Sequence, residues 1–88
     1  MRERGEVESP SEEQQAVFKG VSALAGVDLA RIRPSSRFID FGLDSVKATD
    51  LIMDLEETFD LIIPERDLVG LENLGDLIAY LQRRRQSG

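Results

Sequence analysis

Apolar residues recur at helical spacing in three stretches of this chain, separated by short apolar runs and breakers. Val17, Val21 and Leu24 stand at i, i+4 and i+7, flanked by Phe18 and Ala25, and Gly26 closes the pattern. After Val46, a stripe of Ala48, Leu51, Ile52, Leu55 and Phe59 is wide enough to face a core. The third stripe, Leu74, Leu77, Ile78 and Leu81, is the most regular. Each has a start signal. Ser9 as N-cap, Pro10 at the first helical position and Glu12 as a capping-box partner predict a helix over residues 10–25. Asp44 predicts the N-cap of a helix running from Ser45 to about Phe59. Asn73 with acidic Asp76 predicts a cap for the last helix, and Arg83, Arg84 and Arg85 close it where positive charge complements the dipole.

Residues 26–44 lack a long period and contain the breakers Pro34 and Gly42. They nonetheless carry Val27, Leu29, Ile32, Phe38, Ile39, Phe41 and Leu43. A polar connection of this length would be unusual in a compact domain, so these side chains predict an ordered crossover pinned over the ends of a bundle. Asp28 predicts a cap for a brief helical turn through Arg31. Leu61-Ile62-Ile63 reads as extended ahead of Pro64; a short strand also fits, but nothing is available to pair with it. A short helix begins at Pro64 and stops at Gly70. The fold class expected is an all-α four-helix bundle, with three main helices, one short helix and a long ordered loop between the first two. One domain over residues 9–84 is expected, with flexible ends over 1–8 and 85–88.

Composition narrows the chemistry. A chain of 88 residues makes one small domain, with no room for a second catalytic one. A net charge of −6 argues against nucleic acid and anionic membranes and favours basic protein partners. There is no cysteine and no histidine, which removes thiolate chemistry and the commonest general base and metal ligand. An enzyme in its own right is not expected, because no nucleophile–base pair can be assembled. No signal peptide or membrane span is apparent, so a cytoplasmic, monomeric protein is expected; Met1 and the short tail suggest a free-standing chain.

The stretch Phe41-Gly42-Leu43-Asp44-Ser45-Val46 is the candidate site. A turn containing glycine delivers Ser45 to the first turn of a helix, where unpaired amides and the dipole favour negative charge, such as a phosphate ester on the serine oxygen. The same helix carries a second face, Val46, Asp50, Met53 and Glu57, with Asp54 nearby. From Asp44 to Asp60 it holds six acids against one base, Lys47. Asp50 and Asp54, four apart, repel each other mildly, which a sequence chosen only for stability would avoid.

Gly42-Leu43-Asp44-Ser45-Val46, the Leu51–Phe59 stretch with Glu56-Glu57 inside it, Ile63-Pro64, Asn73-Leu74-Gly75-Asp76-Leu77 and Tyr80-Leu81 together resemble an acyl carrier protein over residues 11–83. The resemblance implies that Ser45, beside Asp44, receives 4′-phosphopantetheine from coenzyme A through a separate phosphopantetheinyl transferase. It also implies that the arm carries acyl or aminoacyl groups as thioesters among loading, condensing or transferring enzymes. Val46, Asp50, Met53, Asp54 and Glu57 become the docking surface for basic patches on these partners. Fatty-acid, polyketide and nonribosomal-peptide biosynthesis are all compatible. Leu43, Val46 and Lys47 depart from the fatty-acid pattern and lean towards a discrete carrier of secondary metabolism or aminoacyl transfer. Two other readings compete. One is a helical adaptor whose acidic helix docks basic partners without modification of Ser45. The other is a divalent-cation site at Asp40, Asp44 and Asp50, whose spacing does not match a calcium loop.

Overall fold

The computed structural model describes residues 10–87. It contains four α-helices, α1 (Glu12–Ala25), α2 (Ser45–Phe59), α3 (Glu65–Leu68) and α4 (Leu74–Ser87), with two 3₁₀ turns, Leu29–Arg31 and Phe38–Phe41, between α1 and α2. The helical class read from periodicity is the one observed. α1 packs against both α2 and α4. Val17 and Val21 of α1, Leu51 and Leu55 of α2, and Leu74, Leu77 and Leu81 of α4 are fully buried and form the centre of the core. α1 and α2 approach closely at Gly20, where an added Cβ would lie 2.5 Å from Leu51 Cδ1.

The start of α1 differs from expectation. Ser11 caps the helix, its hydroxyl accepting the Gln14 N–H at 3.1 Å, while Pro10 precedes the cap. Ser9 and the tail over 1–8 lie outside the described residues, as does Gly88. Starting at Glu12 places Glu12 and Glu13 in the first turn, where the dipole favours them and Arg85 can reach both. Arg85 also lies over the Phe59 ring at 4.5 Å, so one guanidinium joins α1, α2 and α4. α4 runs to Ser87.

Burial pushes the Glu13 carboxyl up, but hydrogen bonds from its backbone and from Arg85 and Ser11 outweigh this and hold it below the usual carboxylate range. A lowered native value stabilises the fold above the unfolded value and loses that contribution as pH falls through the native one. Glu13→Gln is therefore expected to narrow the gap between the thermal midpoints at neutral and acid pH. An unchanged gap would contradict this.

The crossover is ordered by polar ties as much as by apolar anchors. Asp28 caps the first 3₁₀ turn by accepting the Ala30 N–H at 3.1 Å. The Leu74 and Gly75 amides, at the start of α4, donate to the Ser36 and Pro34 carbonyls at 2.9 and 2.7 Å, beside an isolated antiparallel bridge between Arg37 and Asn73. Ile32 and Leu43 are buried, and Val27, Phe38 and Phe41 half-buried, but Leu29 and Ile39 are exposed, at 47% and 71%. Each sits within a single 3₁₀ turn, too short to turn every apolar side chain inward. Residues 61–63 form no strand. Ile63 is buried, and its N–H donates to the Glu56 carboxylate at 2.7 Å.

Candidate functional site

Four consecutive residues build the site, each with a separate physical task. Gly42 ends the second 3₁₀ turn in the left-handed region at φ 69°, which a side chain would disfavour. Leu43 is buried and pins the turn to the core. Asp44 is extended, and its carboxylate accepts the Lys47 N–H at 3.0 Å as the N-cap of α2. Ser45, the first helical residue, is exposed. Asp44 satisfies one first-turn amide, while helix geometry leaves those of Ser45 and Val46 without an intrahelical acceptor. The fold thus places an exposed serine, Ser45, at the positive end of a helix dipole, an arrangement that accommodates a phosphodiester.

Two depressions meet at this serine. One is an apolar recess of about 280 Å³ with Phe38, Leu43, Ala48, Ile52, Leu68 and Leu77 in its wall. The other is a broad groove bordered by Arg37, Ile39 and Glu72.

Along α2, Val46 is 69% and Met53 60% exposed, and Asp50, Asp54 and Glu57 are exposed with them. The other acids of this helix have different tasks. Glu56 is half-buried and holds the Ile63 amide, whereas Asp60 caps the C-terminus in the left-handed region. The acceptor role of Glu56 is not visible in the sequence, because it depends on a contact seven residues away. Ile39, expected to anchor the crossover, is instead 71% exposed and shares the groove with Ser45. Of the carboxylates weighed for a cation, Asp40 accepts the Arg37 N–H at 2.9 Å and Asp44 is the helix cap. Among the described residues, no group of three or more His, Cys, Asp or Glu side chains could hold a metal.

Residues 15–81 match the family model described as a phosphopantetheine attachment site. An acyl carrier protein of Chlamydia felis (strain Fe/C-56) is 45% identical over 60 residues, covering 67% of this chain and 77% of that protein. The chain belongs to the acyl carrier protein family. An acyl carrier protein of Helicobacter pylori (strain J99 / ATCC 700824) is 35% identical over 72 residues, covering 76% of this chain and 92% of that one. A solution structure assigned as an acyl carrier protein of Anaplasma phagocytophilum superposes with a TM-score of 0.76 at 29% identity, covering 92% of this chain and 96% of that chain. The HMG-ACPI domain from the CurA module of Lyngbya majuscula shares the fold, with a TM-score of 0.76 at 20% identity over 97% of this chain and 95% of that one.

Acyl carrier proteins carry rather than catalyse, and their cofactor is phosphopantetheine. The family works with synthases and transferases. Among the described residues no helix is long and apolar enough to cross a membrane.

Proposed function

We propose that Ser45 carries the 4′-phosphopantetheine arm. The arm's thiol, absent from a chain without cysteine, supplies the thioester chemistry of the carrier. The supporting observation is that Ser45, the first residue of α2, is exposed beside amides that favour an anion. Incubation with coenzyme A, magnesium and a broad-specificity phosphopantetheinyl transferase is expected to add one phosphopantetheine by intact mass. No addition with several such transferases would overturn the reading and favour an unmodified helical adaptor.

The docking surface in this reading is Val46, Asp50, Met53, Asp54 and Glu57, extended by Ile39 on the far side of Ser45. Three exposed apolar side chains, Ile39, Val46 and Met53, beside carboxylates suit a basic partner patch with a shallow apolar centre. Electrostatic attraction speeds encounter, and limited apolar contact permits release. Reversing Asp50, Asp54 and Glu57 to lysine is expected to slow modification by a transferase with a basic docking patch by about tenfold or more at low salt. The difference should shrink as salt rises. An equal rate at low salt would exclude this face.

The recess beside Ser45 fits an apolar segment of cargo folded back from the arm. Of the three positions behind a dedicated secondary-metabolism or aminoacyl role, Leu43 serves the core, while Val46 and Lys47 are exposed on the first turn of α2 and carry that reading. Loading and condensing enzymes in the cytoplasm are the partners this reading expects.

A further inference from the structure

The recess beside Ser45 has walls of unequal firmness. Ala48 and Ile52 stand on α2, a helix of 15 residues, and Leu77 on α4 is fully buried. Leu43 is buried in the crossover. The remaining wall is Leu68, at the end of α3, with Leu71 just beyond it, and both are only half-buried. α3 has four residues, and Pro64 before it provides no side-chain cap. So short a helix has no stability of its own, and its position is set by what ties it down.

Ile63 anchors the approach to α3, whereas beyond it Val69 is 82% exposed and Gly70 lies at φ 96°. Within α3, Leu68 packs against the core and Asp67 adds the polar tie. Its Oδ2 accepts the Tyr80 hydroxyl at 2.7 Å. Arg84 donates to the Tyr80 oxygen at 2.6 Å and lies 3.9 Å from the same Asp67 oxygen. Burial and the Asp67 carboxylate push the Tyr80 hydroxyl up, against Arg84, so it remains a donor. Tyr80 is 8% exposed, while Asp67 and Arg84 are about a third open to solvent, so the charge-assisted bond is shielded on the tyrosine side and partly screened by water on the other. Leu77 and Leu81, on either side of Tyr80 in α4, are fully buried, so the donor stands on a fixed post.

We propose that Tyr80 and Asp67 are positioning residues for the recess beside Ser45, holding α3 as its movable wall so that apolar cargo seated there is shielded from nucleophiles in solution. The proposal rests on the carrier reading, but the tie itself can be tested on the unmodified chain. Tyr80→Phe removes only the donor oxygen. It is expected to speed amide exchange at Asp67 and Leu68 by roughly ten- to hundredfold, the loss of a bond to a charged group, while α1 and α2 keep their protection. Asp67→Asn keeps an acceptor oxygen without the charge and is expected to restore part of the protection lost in Asp67→Ala. Combining Tyr80→Phe with Asp67→Ala should cost no more than either change alone. Unchanged exchange in α3, or additive effects, would overturn the tie.

The role in shielding is read on the loaded carrier. With octanoyl cargo, Tyr80→Phe is expected to raise reactivity towards hydroxylamine several-fold, whereas acetyl cargo, too short to reach the recess, should react at the parent rate. Equal acceleration of both, or of neither, would overturn it. Failure to load Ser45 at all would strike the carrier reading and leave the exchange result standing.

Discussion

Replacing Ser45 with alanine is expected to abolish modification by coenzyme A while leaving the fold intact. The two halves of this expectation have different origins. Modification needs an oxygen nucleophile at this point of the chain, and alanine has none. The fold does not need that oxygen, because Asp44 supplies the cap of α2. Ser45 is exposed, and alanine is a good helix former, so the change in stability should stay within about 0.5 kcal/mol. Asp44→Ala separates the two roles. Losing the cap should cost about 1 kcal/mol and slow modification without eliminating it. Intact mass and a thermal melt on each variant check both statements. A full mass shift on Ser45→Ala would place the arm elsewhere.

The largest stability effect is expected on the opposite face of the same helix. Leu55 is fully buried against a core shared by the three long helices, and truncation to alanine leaves a cavity that close-packed neighbours fill only in part. The cost is about 3 kcal/mol, a large share of the total stability of so small a domain. At a few degrees per kcal/mol, the melting temperature should fall by more than ~10 °C. Met53, two residues earlier and 60% exposed, should tolerate alanine with little change. Urea denaturation with an unchanged slope would assign the difference to stability. A similar loss at both positions would mean that the two faces of α2 are not divided as described.

That division was legible because local rules determine it. Periodicity places Leu51 and Leu55 inward, and the caps at Asp28, Asp44 and Asn73 were readable to the residue, since each acts on an amide two or three positions away. Ser9 and Ser11 could not be told apart by the same means. Both stand near Pro10 and acidic residues, and what favours Ser11 is the reach of Arg85, more than 70 residues along the chain, to Glu12 and Glu13. The exposure of Leu29 and Ile39 was hidden for a related reason. An apolar residue in an irregular segment carries no period to show which way it faces. The bond of Glu56 to Ile63 and the tie of Tyr80 to Asp67 depend on where the chain returns after α2, which no local pattern encodes.

The candidate site was more legible than its surroundings, because its parts are contiguous. Glycine, an anchoring leucine, a capping aspartate and a serine follow one another, so local geometry alone brings them together. The recess and groove beside them assemble from the crossover, α3 and α4, and sequence gave no view of their shape.

The central claim is that one hydroxyl, that of Ser45, receives the arm. Nearby hydroxyls offer a stringent comparison: Ser35 borders the same groove, Ser36 accepts the Arg33 N–H, and Thr49 donates to the Ser45 carbonyl. Fragmentation mass spectrometry of peptides from the modified protein reads the attachment position directly. The account predicts the phosphopantetheine mass on Ser45 alone; the same mass on Ser35, Ser36 or Thr49, with Ser45 bare, would contradict it.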